Sequence, residues 1–255
     1  MNDTPTAARG RPVAMITGGA GSFGSASCRR LAADGFAVAV SDRDLAAAER
    51  TAAGIDGAFA VGLDVTDADA VRAGVDAVLG CHGRLDVVVN NAGVAPPGTM
   101  STTGLEAFDA TLAINLRGAY LVTAAAMEAL TASPRARVVM IGSRTWLAGG
   151  NPAYSASKAG MVGLCRSVAQ DLAPTGGTCN VVAPGPVETG FVDAMGMGDT
   201  RRENFERYAR MTPLGRVATP EDIASAVAFF ASREASFITG ETLNVAGGLQ
   251  LAPKL

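Results

Sequence analysis

Seven short runs of β-branched and small apolar residues recur along the chain, near positions 13–16, 37–40, 58–61, 87–90, 138–141, 180–182 and 243–245. Between most of them lie Ala- and Leu-rich stretches with helical spacing, near 22–34, 44–53, 67–79, 105–130, 154–172 and 220–231. Strands separated by whole helices cannot pair as tight hairpins. They return in the same direction after each crossover, which predicts an α/β chain built on a parallel sheet. The last helix carries its own start signal, with Thr219 as N-cap, Pro220 in the first helical position and Asp222 in the first turn.

A chain of 255 residues, 48% apolar, with no Pro/Ser-rich or charged linker reads as one unit. Residues 1–10 lack an apolar signal core and read as a short tail; residues 11–255 read as a single domain. The net charge of −3, without a Lys/Arg cluster, excludes nucleic acid and a charged membrane surface as partners. No uninterrupted apolar run approaches the roughly 18 residues of a spanning helix. Cys28, Cys81, Cys165 and Cys179 lack metal-ligand spacing, so no metal is expected and free thiols in a reducing cytoplasm are. The one histidine, His82, falls in a polar turn, Gly80 to Gly83, which leaves a Ser-His-Asp mechanism without an imidazole.

The residues that are unusual for such a chain follow the predicted strands. Thr17-Gly18-Gly19 follows the first, Asp42 the second, Asp64 the third, Asn91-Ala92-Gly93 the fourth, Ser143 the fifth and Pro184-Gly185 the sixth. In a parallel sheet these positions share one edge, where open α/β sheets bind their ligands. Gly19-Ala20-Gly21-Ser22-Phe23-Gly24 spells G-x-G-x-x-G between a strand and a helix. Such a loop brings backbone N–H groups to a pyrophosphate; it also serves as a plain tight turn, and a methyltransferase carries a similar one. Asp42 stands where a carboxylate accepts both ribose hydroxyls of NAD and repels the extra phosphate of NADP. Arg43 beside it either welcomes that phosphate or is a solvated surface charge.

Tyr154 and Lys158 lie four residues apart and share a helix face. A fixed cation next to a phenol favours the phenolate, which ordinarily forms near pH ~10, and equips it to trade protons with an alcohol. Arg144 follows Ser143 directly and precedes Thr145-Trp146-Leu147. A guanidinium there suits a substrate carboxylate; the alternative is that it faces solvent or pairs with Glu188. Residues 188–216 fit no strand and read as a substrate lid.

Thr17-Gly18 with Gly24, Asp64-Val65, Asn90 to Gly93, Asn115, Ser143, Tyr154 with Lys158, and Pro184-Gly185-Pro186-Val187 occur in the order of the short-chain dehydrogenase/reductase family, which the chain resembles over about residues 12–250. The resemblance implies a Rossmann-like, doubly wound parallel sheet of seven strands flanked by helices on both faces, metal-free catalysis and a homotetramer. It implies Tyr154 as general acid/base, Lys158 lowering its pKa and binding the nicotinamide ribose, Ser143 holding the substrate oxygen, and Asn115 supporting a proton relay. Asn115 also reads as a structural amide in an apolar helix. By the same resemblance Asp64 and Val65 meet adenine, Asn91, Ala92 and Gly93 line the cofactor floor, and Val187 and Thr189 lie at the nicotinamide. Two departures stand out. Ser22 occupies the place of the middle glycine, where its hydroxyl is expected to help cap the helix, and the gap from Ser143 to Tyr154 is short, which predicts a tight loop around Trp146.

The expectation is therefore an NAD-dependent short-chain alcohol dehydrogenase or ketoreductase in the cytoplasm, interconverting a small secondary alcohol and a ketone. An NADPH-dependent ketoreductase of 3-oxoacyl thioesters, with NADP as cofactor, and a non-catalytic dinucleotide binder are the alternatives.

Overall fold

The computed structural model describes residues 10–189 and 201–251. Its strands are β1 (Val13–Thr17), β2 (Ala37–Asp42), β3 (Ala58–Gly62), β4 (Val87–Asn90), β5 (Arg137–Ile141), β6 (Thr178–Pro184) and β7 (Thr242–Val245). They form one sheet in the order β3-β2-β1-β4-β5-β6-β7, with every neighbouring pair parallel. The order reverses between β1 and β4, so the chain leaves those two strands in opposite directions and opens a crevice beyond their carboxyl ends.

The helices are α1 (Ser22–Ala33), α2 (Leu45–Ala53), α3 (Ala68–His82), α4 (Leu105–Leu112), α5 (Gly118–Ala132), α6 (Thr145–Ala148), α7 (Pro152–Leu172), α8 (Arg201–Met211) and α9 (Pro220–Ala231). Alternate strand residues face opposite layers. Val13, Met15, Val88 and Met140 pack with Val75 of α3, Val122 of α5 and Met161 of α7. Ala14, Ile16, Val89 and Val139 pack on the other face with Leu31 of α1, Ala48 of α2 and Val227 of α9. Because both faces are covered, β1 and β4 to β6 are buried at every residue. Each such Val, Leu or Ile contributes about 1.5–3 kcal/mol by leaving water. The sheet is thereby a rigid base for whatever its edge carries.

The structure corrects four details of the sequence reading. The turn expected at Gly80 to Gly83 is helical through His82, and only Gly83, at φ 69°, breaks α3. His82 instead stacks on Phe59 with ring centroids 4.9 Å apart, and burial pulls its pKa below the usual imidazole value. The long predicted helix 105–130 is α4 and α5 joined by a π-helical turn, Ala113–Arg117. That continuous stretch, Leu105–Ala132, is long and apolar enough to cross a membrane by length and composition, contrary to the sequence reading; here it packs in the helical layer beside α3 and α7. The segment after Ser143, read as loop, holds the single-turn helix α6. Of the lid expected over 188–216, residues 190–200 lie outside the described residues; α8 follows, and Val187 bridges Ala218.

Candidate active site

The crevice is fixed first by backbone. Asn91 Nδ2 donates to the carbonyls of Thr17 (2.9 Å) and Gly18 (3.0 Å), while Thr17 Oγ1 accepts from the N–H groups of Asn91 and Ala92, both at 3.1 Å. The ends of β1 and β4 are thus tied across the point where the strand order reverses. Gly18 sits at φ 61°, and a Cβ there would lie 3.0 Å from the Cα of Ala92. At Gly24 a Cβ would fall 2.1 Å from the Gly18 carbonyl oxygen, so the first turn of α1 lies directly on the loop and only glycine fits. Gly21, rather than Ser22, occupies the N-cap position and makes no side-chain cap. The capping role expected of Ser22 is therefore not formed: Ser22 is the first helical residue, and its exposed side chain faces the cavity. The first N–H groups of α1 have no intrahelical partner and point into the crevice mouth.

Asp42 closes β2 with its carboxylate held by two backbone donors, Ala20 N at 3.2 Å and Asp44 N at 3.1 Å. Asp64 accepts from the N–H and hydroxyl of Thr66 at 2.8 and 2.7 Å. Those bonds hold its carboxyl below the usual range, with a further contribution from the Arg43 charge.

At the other end, Asn151 caps α7 by accepting from Tyr154 N at 2.9 Å, and Pro152 opens the helix. Ser143 follows β5, where a Cβ on Gly142 would meet Val181 Cγ1 at 2.6 Å, so the chain passes tightly over β6. Burial pushes the Tyr154 phenol above its ordinary pKa, with the nearby Ser143 hydroxyl acting in the opposite direction. Lys158, also buried, donates from Nζ to the Ile141 carbonyl at 2.7 Å, and Nζ lies 5.6 Å from the centre of the Tyr154 ring. Burial lowers its own pKa to about 8. Desolvation is the largest influence on both groups.

Asn115 is fully buried inside the π-helical turn. Its Oδ1 accepts from Val94 N at 2.8 Å, and its Nδ2 donates to Val94 O at 2.9 Å and to Ser157 Oγ at 3.0 Å. Ser157 Oγ in turn donates to the Tyr154 carbonyl at 2.7 Å. A Cβ on Gly93 would come within 3.2 Å of Asn115 Oδ1 and 3.5 Å of Lys158 Nζ, so the three residues converge. π-Helical turns recur at functional sites because the extra residue re-aims side chains.

One cavity of about 900 Å³ joins the two ends. Gly18, Gly21, Ser22, Phe23, Asp42, Arg43, Asp64, Val65, Asn91, Ala92 and Gly93 line one part. Ser143, Arg144, Tyr154, Lys158, Pro184, Gly185, Val187 and Thr189 line the other. Gly24, Asn115 and Trp146, each assigned to the site from sequence, are not on its wall. Gly24 is beneath the loop, Asn115 is behind Gly93, and Trp146 is turned onto the core beside α7. Phe205 and Tyr208 of α8, with Ile114 and Thr145, complete the wall and were missed in the sequence. The i, i+3 aromatic pair in an otherwise charged helix was the available signal. Among the described residues no cluster of His, Cys, Asp or Glu side chains is arranged to hold a metal ion.

The family model described as Enoyl-(Acyl carrier protein) reductase matches residues 18–250. The chain is 37% identical over 238 residues to the 3-oxoacyl-[acyl-carrier-protein] reductase MabA of Mycobacterium tuberculosis, covering 92% of this chain and 91% of the relative. It is 35% identical over 247 residues to the (2S)-[(R)-hydroxy(phenyl)methyl]succinyl-CoA dehydrogenase subunit BbsD of Thauera aromatica, covering 94% and 96%. The crystal structure of a 3-ketoacyl-(acyl-carrier-protein) reductase from Brucella melitensis complexed with NADH superposes with a TM-score of 0.86 at 32% identity, over 94% of this chain and 98% of that one. With this sheet order, this cavity and these relatives, the chain belongs to the short-chain dehydrogenase/reductase family of oxidoreductases.

Proposed function

We propose that the protein is a nicotinamide-dependent ketoreductase, reducing the carbonyl of a 3-oxoacyl thioester or a related ketone and oxidising the matching secondary alcohol in reverse. The observation that carries this reading is the placement of Ser143 and Tyr154 together on the wall of the cavity that also contains the glycine crevice. A hydroxyl pair there meets a carbonyl oxygen: Ser143 orients it and Tyr154 donates the proton as the alcohol forms. Lys158 places an ammonium 5.6 Å from the centre of the Tyr154 ring, and a cation there favours release of the phenol proton. A pure dinucleotide binder has no use for this set. Acyl thioesters are favoured over simple alcohols because the relatives MabA and BbsD are named for an acyl-carrier-protein thioester and a CoA thioester.

The residues present fit a nicotinamide dinucleotide, since the Gly18–Gly24 contact leaves a cradle that a Cβ would fill. The first turn of α1 would hold the pyrophosphate, Asp42 the adenosine ribose, and Asp64 with Val65 the adenine. Asn91 to Gly93, Pro184, Gly185, Val187 and Thr189 would hold the nicotinamide end. When bound, the cofactor supplies or accepts the hydride. Asp42, fixed at the end of β2, supports NADH over NADPH. The NADH bound by the Brucella reductase agrees with that preference.

A homotetramer is part of the same reading. Leu105 and Tyr120, on the α4–α5 face, are exposed, and Tyr120 borders an apolar depression with Leu112, Leu116 and Leu164. Multi-angle light scattering at micromolar concentration is expected to give four chains; a stable monomer contradicts it. Four free cysteines, three of them buried, suit a reducing compartment such as the cytoplasm.

The testing experiment mixes the protein with NADH or NADPH and either acetoacetyl-CoA or cyclohexanone, following absorbance of the reduced cofactor. The expected result is fastest oxidation of NADH with the thioester. No turnover with either carbonyl and either cofactor contradicts the reading, and faster reduction of cyclohexanone returns it to a simple alcohol dehydrogenase.

A further inference from the structure

Arg144 is a charged residue at the Ser143 end of the cavity wall that the proposed chemistry leaves unused. Its backbone N–H is bound to the Pro184 carbonyl at 2.9 Å, which fixes its Cα beside Ser143 and the strand end expected to hold the nicotinamide. Its side chain is partly buried and lines the cavity. Among the described residues it makes no ion pair and no side-chain hydrogen bond, and the pairing with Glu188 weighed from the sequence is not formed.

Of the other arginines that the described fold draws away from water, three have polar partners and Arg135, whose Nε is buried without one, has a ring. Arg11 pairs with Asp56 at 3.6 Å, and Arg84 with Asp86 at 2.7 Å. Arg137 donates to the Ala136 carbonyl at 2.8 Å, and Arg135 lies 5.0 Å over the Phe36 ring. Arg144 has neither kind of partner, in a wall that also includes Val94, Ile114, Pro186 and Phe205. A partly buried guanidinium with no protein partner is open to an anion that enters the cavity.

We infer that Arg144 binds a carboxylate on the substrate, a few bonds from the carbonyl that Ser143 orients, so that the preferred substrates are those oxoacyl thioesters and related ketones, or their alcohols, that also carry a free carboxylate. The inference rests on the ketoreductase reading and narrows its substrate class. The planar fork of a guanidinium accommodates a carboxylate bidentately, and that contact fixes which face of the carbonyl is presented.

The test uses a matched pair of probes, 3-oxocyclohexanecarboxylate and its methyl ester. Each is titrated calorimetrically into wild-type protein saturated with NAD, a combination in which a ketone binds without turning over. Wild type is expected to bind the acid about ten- to a hundredfold more tightly than the ester, the range of one charge-assisted contact. Arg144→Gln is expected to bring the two affinities within about twofold, and Arg144→Lys to restore part of the preference. Circular dichroism and the melting temperature establish that the variants fold. Binding of the ester as tight as that of the acid, binding of neither, or equal weakening of both in Arg144→Gln overturns the inference. Reduction of the ester by wild type with NADH is followed separately: its absence counts against the ketoreductase reading, while the affinity ratio still decides the role of Arg144.

Discussion

Lys158 Nζ donates to the Ile141 carbonyl at 2.7 Å, fastening the first turns of α7 to the end of β5. The bond consumes one of the three donors of an ammonium, and a neighbouring thioether, Met161 Sδ at 3.7 Å, is a weak second partner. Water is replaced incompletely, and the pKa falls from 10.5 to about 8.

Stability therefore depends on pH through this residue. The folded-state pKa lies below the unfolded value, so between them the unfolded chain binds more protons and the folded state gains stability as pH rises. Below about 8 the full cost of the buried charge is present. Lys158→Met removes that cost, and its melting temperature is expected to exceed that of wild type most at neutral pH, the lead shrinking as pH rises towards 10. A difference independent of pH contradicts the account.

Asn115 and Ser157 act as one network with Val94, and the energetics are expected to show it. Asn115→Leu leaves the Val94 N–H and carbonyl without partners, at about 1–3 kcal/mol for each buried group. Urea unfolding of Asn115→Leu, Ser157→Ala and the double variant is expected to give a coupling of about 0.5–3 kcal/mol. Strict additivity contradicts the network.

On the proposed reading, Asp42 is expected to govern the choice between the two cofactors. Asp42→Ser is expected to shift the ratio of NADH to NADPH affinity by tenfold or more towards NADPH, because lost ribose contacts and lost repulsion act together. Fluorescence titration of both reduced cofactors measures it. Tighter binding of NADPH by wild type shows that Arg43 prevails.

The strand ends were readable because their punctuation is chemical. Gly18, Asn91, Gly142 and Pro184 each mark a place where a side chain would collide or a backbone group needs a partner. The π-helical turn at Asn115 was not readable, since one inserted residue leaves helical spacing and composition nearly unchanged. Trp146 was read as a substrate residue because it follows Ser143, but α6 rotates it onto the core. The Lys158 rotamer was equally out of reach: four-residue spacing puts it on the face of Tyr154, whereas the Ile141 carbonyl decides where its nitrogen goes. Ser22 was assigned a capping role that Gly21 takes by position alone.

The central claim is that Tyr154 delivers the proton while the rest of the cavity binds. Tyr154→Phe keeps the ring over Lys158 and removes only the hydroxyl, which faces the cavity with Ser143. Single-turnover reduction of acetoacetyl-CoA by this variant, alongside its NADH affinity, is the most direct measurement. The account predicts a rate lowered by about 10²–10⁴ with NADH affinity within a few-fold of wild type; a rate near that of wild type contradicts it.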